Sequence, residues 1–348
     1  IGTYGFNLFC ISLFTSPAIL ILRDKNKDIG ISIFFFIALF IFYIYGNSYK
    51  EKFDKTLKKN FDYKIRVIGS NISLDRFYEN IDTGPVIQDL IKLSNPNAKD
   101  KTIFIWPEGI IPNISQDDLI QYSSLFDMKF NKNHLLVVGT NSISETEGVK
   151  KYYNSLTIYD YKLNILNSYN KVNLVPFGEF LPFENKLTGI GLRSLTNNYQ
   201  SFSSGDRRNV IQINHQDSLL KILPLICYEI IYSGRLFKNS DFDLIINISE
   251  DGWFGQSIGP KQHFIHSIFR AIESGKYVVR SSNNGIAAII NPLGRIEKNI
   301  NFGQSGYVDL EGSKIIQPTI FSKFGNKIFL ILILLYIFLI FSFNRFKK

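Results

Sequence analysis

Residues 222–231 read I-L-P-L-I-C-Y-E-I-I. An apolar, β-prone run that stops at a thiol and a carboxylate predicts a buried strand with Cys227 at its end, followed at once by Tyr228 and Glu229. A strand fixes the backbone while the following turn presents the side chain, which is what a nucleophile needs. Taken alone, such a cysteine is more often inert core, because free Cys is among the most buried residue types.

Working outward, the same pattern recurs. Lys64 to Ile68, T-I-F-I-W at 102–106, Leu135 to Gly139, Ser155 to Tyr159 and Leu244 to Ile248 are short strand candidates, nearly all apolar. Asp75 to Leu93 and Asp117 to Lys129 carry helical spacing between them. Buried strands alternating with helices predict an α/β domain in which helices cover the sheets. Tyr277 to Ser282 and Ile286 to Ile290 flank N-N-G, a hairpin signal, and N-P-L-G at 291–294 makes the next turn.

The ends of the chain have a different character. The 31 Phe and 18 Tyr among 348 residues accompany a slightly positive mean hydropathy despite 39 Lys and Arg, and the apolar residues gather at the termini. Residues 1–46 read as two membrane helices, Tyr4 to Leu22 and Ile29 to Tyr45, joined by R-D-K-N-K-D at 23–28. Residues 47–62 read as a linker, 63–315 as the catalytic domain, 327–343 as a third membrane helix and 344–348 as a basic tail. With Arg345, Lys347 and Lys348 cytoplasmic, residues 23–28 fall on the same side and the central domain outside, although the lysines from Lys50 to Lys59 oppose that assignment. The chain begins with Ile and is expected to be part of a longer protein.

The net charge of +9 brings no Arg-rich helix, zinc-finger spacing or RNA-binding strand, so an anionic membrane is the expected electrostatic partner and nucleic acid is not. Cys10 and Cys227 lie in a membrane helix and a distant strand, so Cys227 is expected to be a free thiol.

Three segments deliver a reactive side chain at the end of an apolar strand: Glu108 in I-F-I-W-P-E-G, Lys171 with Glu179 in N-K-V-N-L-V-P-F-G-E-F-L-P, and Cys227. A carboxylate to take the thiol proton, a lysine to stabilise an oxyanion and a thiol to attack make up an acyl-transfer set. Singly, Glu108 reads equally well as a turn or helix-start carboxylate, and Lys171, next to Asn170, reads more readily as solvated surface.

These segments resemble the carbon-nitrogen hydrolase (nitrilase) superfamily, whose members use a Glu-Lys-Cys triad in a four-layer α-β-β-α sandwich. W-P-E at 106–108, Y-N-K-V-N-L-V-P-F-G-E-F-L-P at 169–182, I-C-Y-E-I at 226–230, W-F-G-Q-S-I-G-P-K-Q-H-F at 253–264 and R-S-S-N-N-G at 280–285 look like its apolipoprotein N-acyltransferase branch. The resemblance implies Glu108 as general base, Lys171 as oxyanion stabiliser and Cys227 as nucleophile, with Glu179, Tyr228 and Glu229 in support. It implies a phospholipid acyl donor, a diacylglyceryl-apolipoprotein acceptor, a bacterial inner-membrane site with the domain periplasmic, and no cofactor. The chain is expected to act as a monomer. The N–H following Cys227 is a further oxyanion donor in this reading. Phe180 and Phe183, with Trp253 and Phe254, are candidate lipid contacts, or equally plain packing residues.

Two positions depart from the branch pattern: S-E-D-G at 249–252 replaces S-N-D, adding Glu250 near the site, and Gly109 follows Glu108 where Ser is common. His263 and His266 share a predicted helix, yet no further ligands converge in the sequence and no metal is expected. The glycines at 252, 255 and 259 match neither a dinucleotide fingerprint nor a phosphate loop. Alternative readings are a membrane-anchored amidase that delivers the acyl group to water, and a silent membrane scaffold.

Overall fold

The computed structural model describes residues 2–22, 29–78, 81–112, 114–146, 148–183, 201–234, 236 and 241–345. The loop at 23–28 and residues 346–348, on which the charge-based orientation rests, lie outside them. The elements begin with α1 (Gly2–Thr15), α2 (Ile19–Leu22), α3 (Ile29–Lys55), β1 (Lys59–Ser70), α4 (Thr83–Ser94) and β2 (Thr102–Ile105). There follow α5 (Ser123–Asp127), β3 (His134–Thr146), β4 (Val149–Asp160), β5 (Ile165–Asn170), β6 (Ile211–His215), β7 (Ser218–Ile226) and β8 (Leu244–Glu250). The chain continues through α6 (Gly259–Ser274), β9 (Tyr277–Asn283), β10 (Ala287–Ile290), β11 (Ile296–Ile300), β12 (Gly306–Ser313), α7 (Ile320–Phe324) and α8 (Lys327–Arg345).

The strands run in the order β5-β4-β3-β2-β1-β9-β8-β7-β6, with β10, β11 and β12 off this path. Only Gly69↔Ser282 and Ser70↔Asn283 join β1 to β9, so the sheet is two halves hinged at that seam. The halves face each other, β4 against β7 and β5 against β6. Side-chain alternation along the strands then separates the apolar residues into layers. Leu244, Ile246 and Ile248 of β8 enter the central layer between the halves, while Ile245 joins Phe264 and Ala271 of α6 on the outside. On the opposite outer face, Ile87, Leu90 and Ile91 of α4 and Phe126 of α5 cover Phe104, Leu136 and Val138. The result is the expected α-β-β-α sandwich.

Local chemistry shaped two helices differently from the sequence expectation. The Asp75 to Leu93 stretch divides into a 3-10 turn, Leu74–Phe77, and α4. Asp82 caps α4 by accepting from Gly84 N at 3.0 Å, and Pro85 stands in its first turn, where no amide partner is needed. The Asp117 to Lys129 stretch is a 3-10 turn, Asp118–Tyr122, followed by the single-turn α5. The stretch expected as a linker, 47–62, is largely regular instead: α3 runs to Lys55 and β1 starts at Lys59. The N-N-G hairpin forms as read, β9 pairing antiparallel with β10 and Asn284 taking φ 52°.

Among the described helices α3, with 27 residues, is the one long and apolar enough to cross a bilayer. At about 1.5 Å per residue it reaches roughly 40 Å. The Tyr4 to Leu22 stretch is helical but interrupted at Ser16–Ala18, around Pro17, where Ser32 Oγ donates to the Ser16 carbonyl at 2.6 Å. The apolar part of α8 described here, Lys327–Ser342, is shorter than α3. Phe9 of α1 packs edge-on to Phe42 of α3 with ring centroids 4.9 Å apart, and Tyr336 of α8 donates to Ser12 Oγ at 2.7 Å. Phe34, Ile37, Phe40 and Tyr43 of α3 remain exposed. So large an apolar face marks a contact with something apolar outside this chain.

Phe126 is fully buried between Trp106 and Phe130, at centroid distances of 5.9 and 5.7 Å. Phe126→Ala is expected to destabilise the domain by about 3–5 kcal/mol, read as a lowered thermal transition in detergent without a change in secondary-structure content.

Candidate active site

Strand β7 ends at Ile226, and Cys227 opens a 3-10 turn, Cys227–Ile231, with φ 47°. A non-glycine residue in the left-handed region carries strain that the surroundings must hold. Glu229 supplies that restraint. Its fully buried carboxylate accepts from Ile226 N at 2.9 Å, Val172 N at 2.9 Å, Asn173 N at 3.1 Å and Tyr169 OH at 2.8 Å. Arg208 completes the set at 2.9 Å. The same carboxylate therefore ties the Cys227 turn to the segment just after Lys171.

Lys171 continues the ladder beyond β5, its N–H donating to the Asn154 carbonyl of β4 at 2.8 Å. Its side chain is 1% exposed, and Nζ donates to Glu179 Oε1 at 2.9 Å and Glu108 Oε1 at 3.2 Å. Asn154 Nδ2 bridges the same two carboxylates at 2.7 Å to Glu108 and 2.8 Å to Glu179. Glu179 Oε2 accepts from Val175 N at 2.8 Å, closing the loop that carries it. Glu108 Oε2 accepts from the main-chain N–H of Glu250 at 2.9 Å. Gly139 of β3 makes room for Glu108, because a Cβ there would stand 2.5 Å from Glu108 Cα and 2.6 Å from the Pro107 carbonyl oxygen.

The charges explain the titration of the site. Burial alone would lower the Lys171 pKa, but the Glu108 and Glu179 carboxylates outweigh it and hold the ammonium charged, above the ordinary lysine range. Burial pushes the Cys227 thiol well up, the Glu108 charge adds to that, and the Lys171 charge opposes it. The thiol thus feels both groups. Burial and the Glu108 charge favour its protonated form, and the Lys171 ammonium favours the anion.

Glu108, Lys171 and Glu179 therefore form one bonded network, the Cys227 thiol feels the Glu108 and Lys171 charges, and Glu229 ties the Cys227 turn to the segment after Lys171. Tyr228 is half-buried, with its ring edge-on to Tyr232. Phe180 is half-buried, while Phe183, Trp253 and Phe254 are exposed. Phe77 and Tyr78 join them unforeseen, Phe77 stacking on Trp253 at 5.1 Å and Tyr78 meeting it edge-on at 6.4 Å. Phe77 also lies against Gly109, its ring 3.5 Å from where a Cβ would stand, so this aromatic lip borders the residue after Glu108.

Glu250 does not add a free carboxylate to the site, as its sequence position suggested. Its side chain pairs with Arg76 and accepts from Asn283 Nδ2 at 2.7 Å and Gly252 N at 2.8 Å, leaving only its N–H to Glu108. Burial raises its carboxyl pKa against the opposing Arg76 charge. Asn283 does more than make a turn, also accepting from Ser70 Oγ at 2.7 Å across the seam between the half-sheets. Asn154, Tyr169, Arg208, Asp251, His263 and Arg280 escaped the sequence reading as site residues. For Asn154 and Arg280 the one signal available was the improbability of an amide or charged side chain at strand positions that patterning assigns to a buried face. No group of three or more His, Cys, Asp or Glu suited to a metal occurs among the described residues.

Residues 73–317 match the carbon-nitrogen hydrolase family, and the chain belongs to it. The fold and the family point to a nitrilase-superfamily enzyme acting through a cysteine. Among its relatives, the apolipoprotein N-acyltransferase of Bradyrhizobium diazoefficiens is 30% identical over 342 residues, covering 94% of this chain and 62% of that protein. The apolipoprotein N-acyltransferase of Rickettsia prowazekii is 35% identical over 269 residues, covering 76% and 52%. The chain thus spans between half and two thirds of the length of these curated relatives. Among solved structures, the glutamine-dependent NAD+ synthetase of Acinetobacter baumannii shares the fold, with a TM-score of 0.50 at 17% identity over 75% of this chain and 48% of that one.

Glu108→Gln is expected to shift the pH profile of Cys227 alkylation by iodoacetamide to lower pH, since it removes a charge that raises the thiol pKa. Lys171→Met is expected to shift it to higher pH, and profiles moving together would contradict the charge assignment. Gly139→Ala is expected to displace Glu108 and change the alkylation profile in the direction of Glu108→Gln.

Proposed function

We propose that the chain carries the catalytic domain of an apolipoprotein N-acyltransferase, with Glu108, Lys171 and Cys227 as its triad. The observation that carries this reading is the Lys171 ammonium hydrogen-bonded to both Glu108 and Glu179, in a site where the Cys227 thiol feels the charges of Glu108 and Lys171. The kinship with apolipoprotein N-acyltransferases and the exposed aromatic lip at the site also support it.

Glu108 takes the thiol proton as the Cys227 sulfur attacks the sn-1 ester carbonyl of a phospholipid. The carbonyl π electrons move to oxygen, and Lys171 and the Tyr228 N–H stabilise that oxyanion. Collapse breaks the C–O bond, Glu108 returns the proton to the departing alkoxide, and lysophospholipid leaves an acyl thioester on Cys227. The α-amine of a diacylglyceryl-cysteine at an apolipoprotein N-terminus then attacks the thioester carbonyl. Glu108 accepts the proton lost by nitrogen, the C–S bond breaks, and the thiolate recovers the proton to give N-acylated product. Glu179 and Asn154 hold Lys171 and Glu108 in place throughout.

Phe77, Tyr78, Trp253, Phe254 and Phe183 offer apolar surface to lipid chains, which exclude water from the thioester. The long apolar helix α3 anchors the domain at a bacterial inner membrane, with the domain on the periplasmic side and both substrates delivered within the bilayer surface.

Full-length protein in detergent with phospholipid is expected to gain one acyl chain in mass on Cys227, and Cys227→Ala to gain none. A chain that hydrolyses a small amide while forming no acyl adduct from phospholipid overturns this reading in favour of an amidase.

A further inference from the structure

His263 lies on α6, almost fully buried, with each ring nitrogen against an oxygen acceptor. Nδ1 is 2.8 Å from Asp251 Oδ1, and Nε2 is 3.2 Å from the main-chain carbonyl oxygen of Cys227. Nδ1 also lies 3.2 Å from Arg280 Nη2, and because a main-chain carbonyl oxygen only accepts, Nε2 is the donor toward Cys227. Asp251 is itself immobilised. Arg280 donates to it at 2.8 Å, Ser249 Oγ at 2.8 Å and Ser282 Oγ at 3.0 Å, and a Cβ on Gly285 would fall 2.1 Å from its Oδ2. Burial opposes the Asp251 charge, yet Arg280 and His263 outweigh it and hold the carboxyl well below the usual carboxylate range.

A trans peptide unit is planar, with its C=O and N–H pointing in opposite directions. Drawing the Cys227 carbonyl toward α6 therefore turns the Tyr228 N–H away from α6. At a residue with φ 47°, this bond from α6 adds a direct restraint on the carbonyl to the one that Glu229 places on the turn. A hydrogen bond received at the carbonyl also polarises the unit and strengthens its N–H as a donor. We infer that His263, backed by Asp251 and Arg280, is a positioning residue that locks the Cys227–Tyr228 peptide with its N–H directed at the oxyanion formed during attack by Cys227. The inference rests on the acyl-transfer reading above.

The test compares full-length parent protein with His263→Phe, His263→Asn and His263→Gln in detergent. Phe makes no hydrogen bond, Asn reaches Asp251 but is too short for the Cys227 carbonyl, and Gln places an amide N–H where Nε2 stood. Acylation of Cys227 is followed in single turnover with a phospholipid and with a p-nitrophenyl acyl ester. Alkylation by iodoacetamide, a displacement that forms no oxyanion, is followed in parallel. Loss of one oxyanion donor costs roughly 10²–10³-fold, so Phe and Asn are expected to slow acylation by about that factor with alkylation and apparent KM little changed. Gln is expected to recover most of the rate. Equal losses of acylation and alkylation, parental acylation rates in Phe or Asn, or no recovery in Gln would each overturn the inference. A parent acylated by the ester but not by phospholipid removes the acyltransferase reading, and the His263 comparison is then decided on the ester. A parent acylated by neither removes both.

Discussion

The fully buried carboxylate of Glu229 is the restraint on which the site depends. A carboxylate with no access to water is tolerable only if fixed donors replace its hydration. Those donors come from Tyr169 on β5, the main chain at Val172 and Asn173, Arg208, and Ile226 at the end of β7. The segments bearing Lys171 and Cys227 therefore share one anion. Strain at Cys227 and the position of Lys171 are settled together, because neither segment can shift without breaking a charge-assisted bond to the other's anchor.

Around that anchor the site is electrostatically frustrated in a useful way. Two carboxylates, Glu108 and Glu179, crowd one ammonium, which keeps Lys171 charged, while Glu108 resists ionisation of the neighbouring thiol. The Cys227 thiol is thereby biased toward its protonated form, with the Lys171 charge pulling the other way. Glu250 and Arg76 neutralise one another behind Glu108, so the extra carboxylate at position 250 leaves this balance undisturbed.

Much of the sandwich was legible because short apolar runs, Gly and Pro breaks and the N-N-G turn are local signals. The helices read from spacing at 75–93 and 117–129 came out shorter, since Asp82 and Pro85 set a new start in one and a 3-10 turn replaced the first part of the other. The inside-outside sense of a strand such as Leu244 to Glu250 was not legible, because Leu244, Ile245 and Ile246 are apolar in succession and every residue of the strand is buried, which hides its alternation. Glu108, Lys171 and Cys227 could be named from motif resemblance. Asn154 and His263 could not, since each is a polar side chain whose meaning lies in partners from distant segments.

The sequence by itself determined the local facts: apolar ends distinct from an α/β centre, a thiol and two carboxylates at strand ends, a hairpin at 283–285. These follow from side-chain periodicity and backbone preferences acting over a few residues. Only the tertiary structure decided that Glu108, 63 positions from Lys171 and 142 from the Glu250 N–H, meets both in one network. Such meetings depend on strand order and on the facing of two half-sheets, and no stretch of residues encodes those alone. The I-C-Y-E run could present a thiol. What surrounds that thiol, and which way the peptide beside it points, was set by residues from β4, β5, β8, β9 and α6.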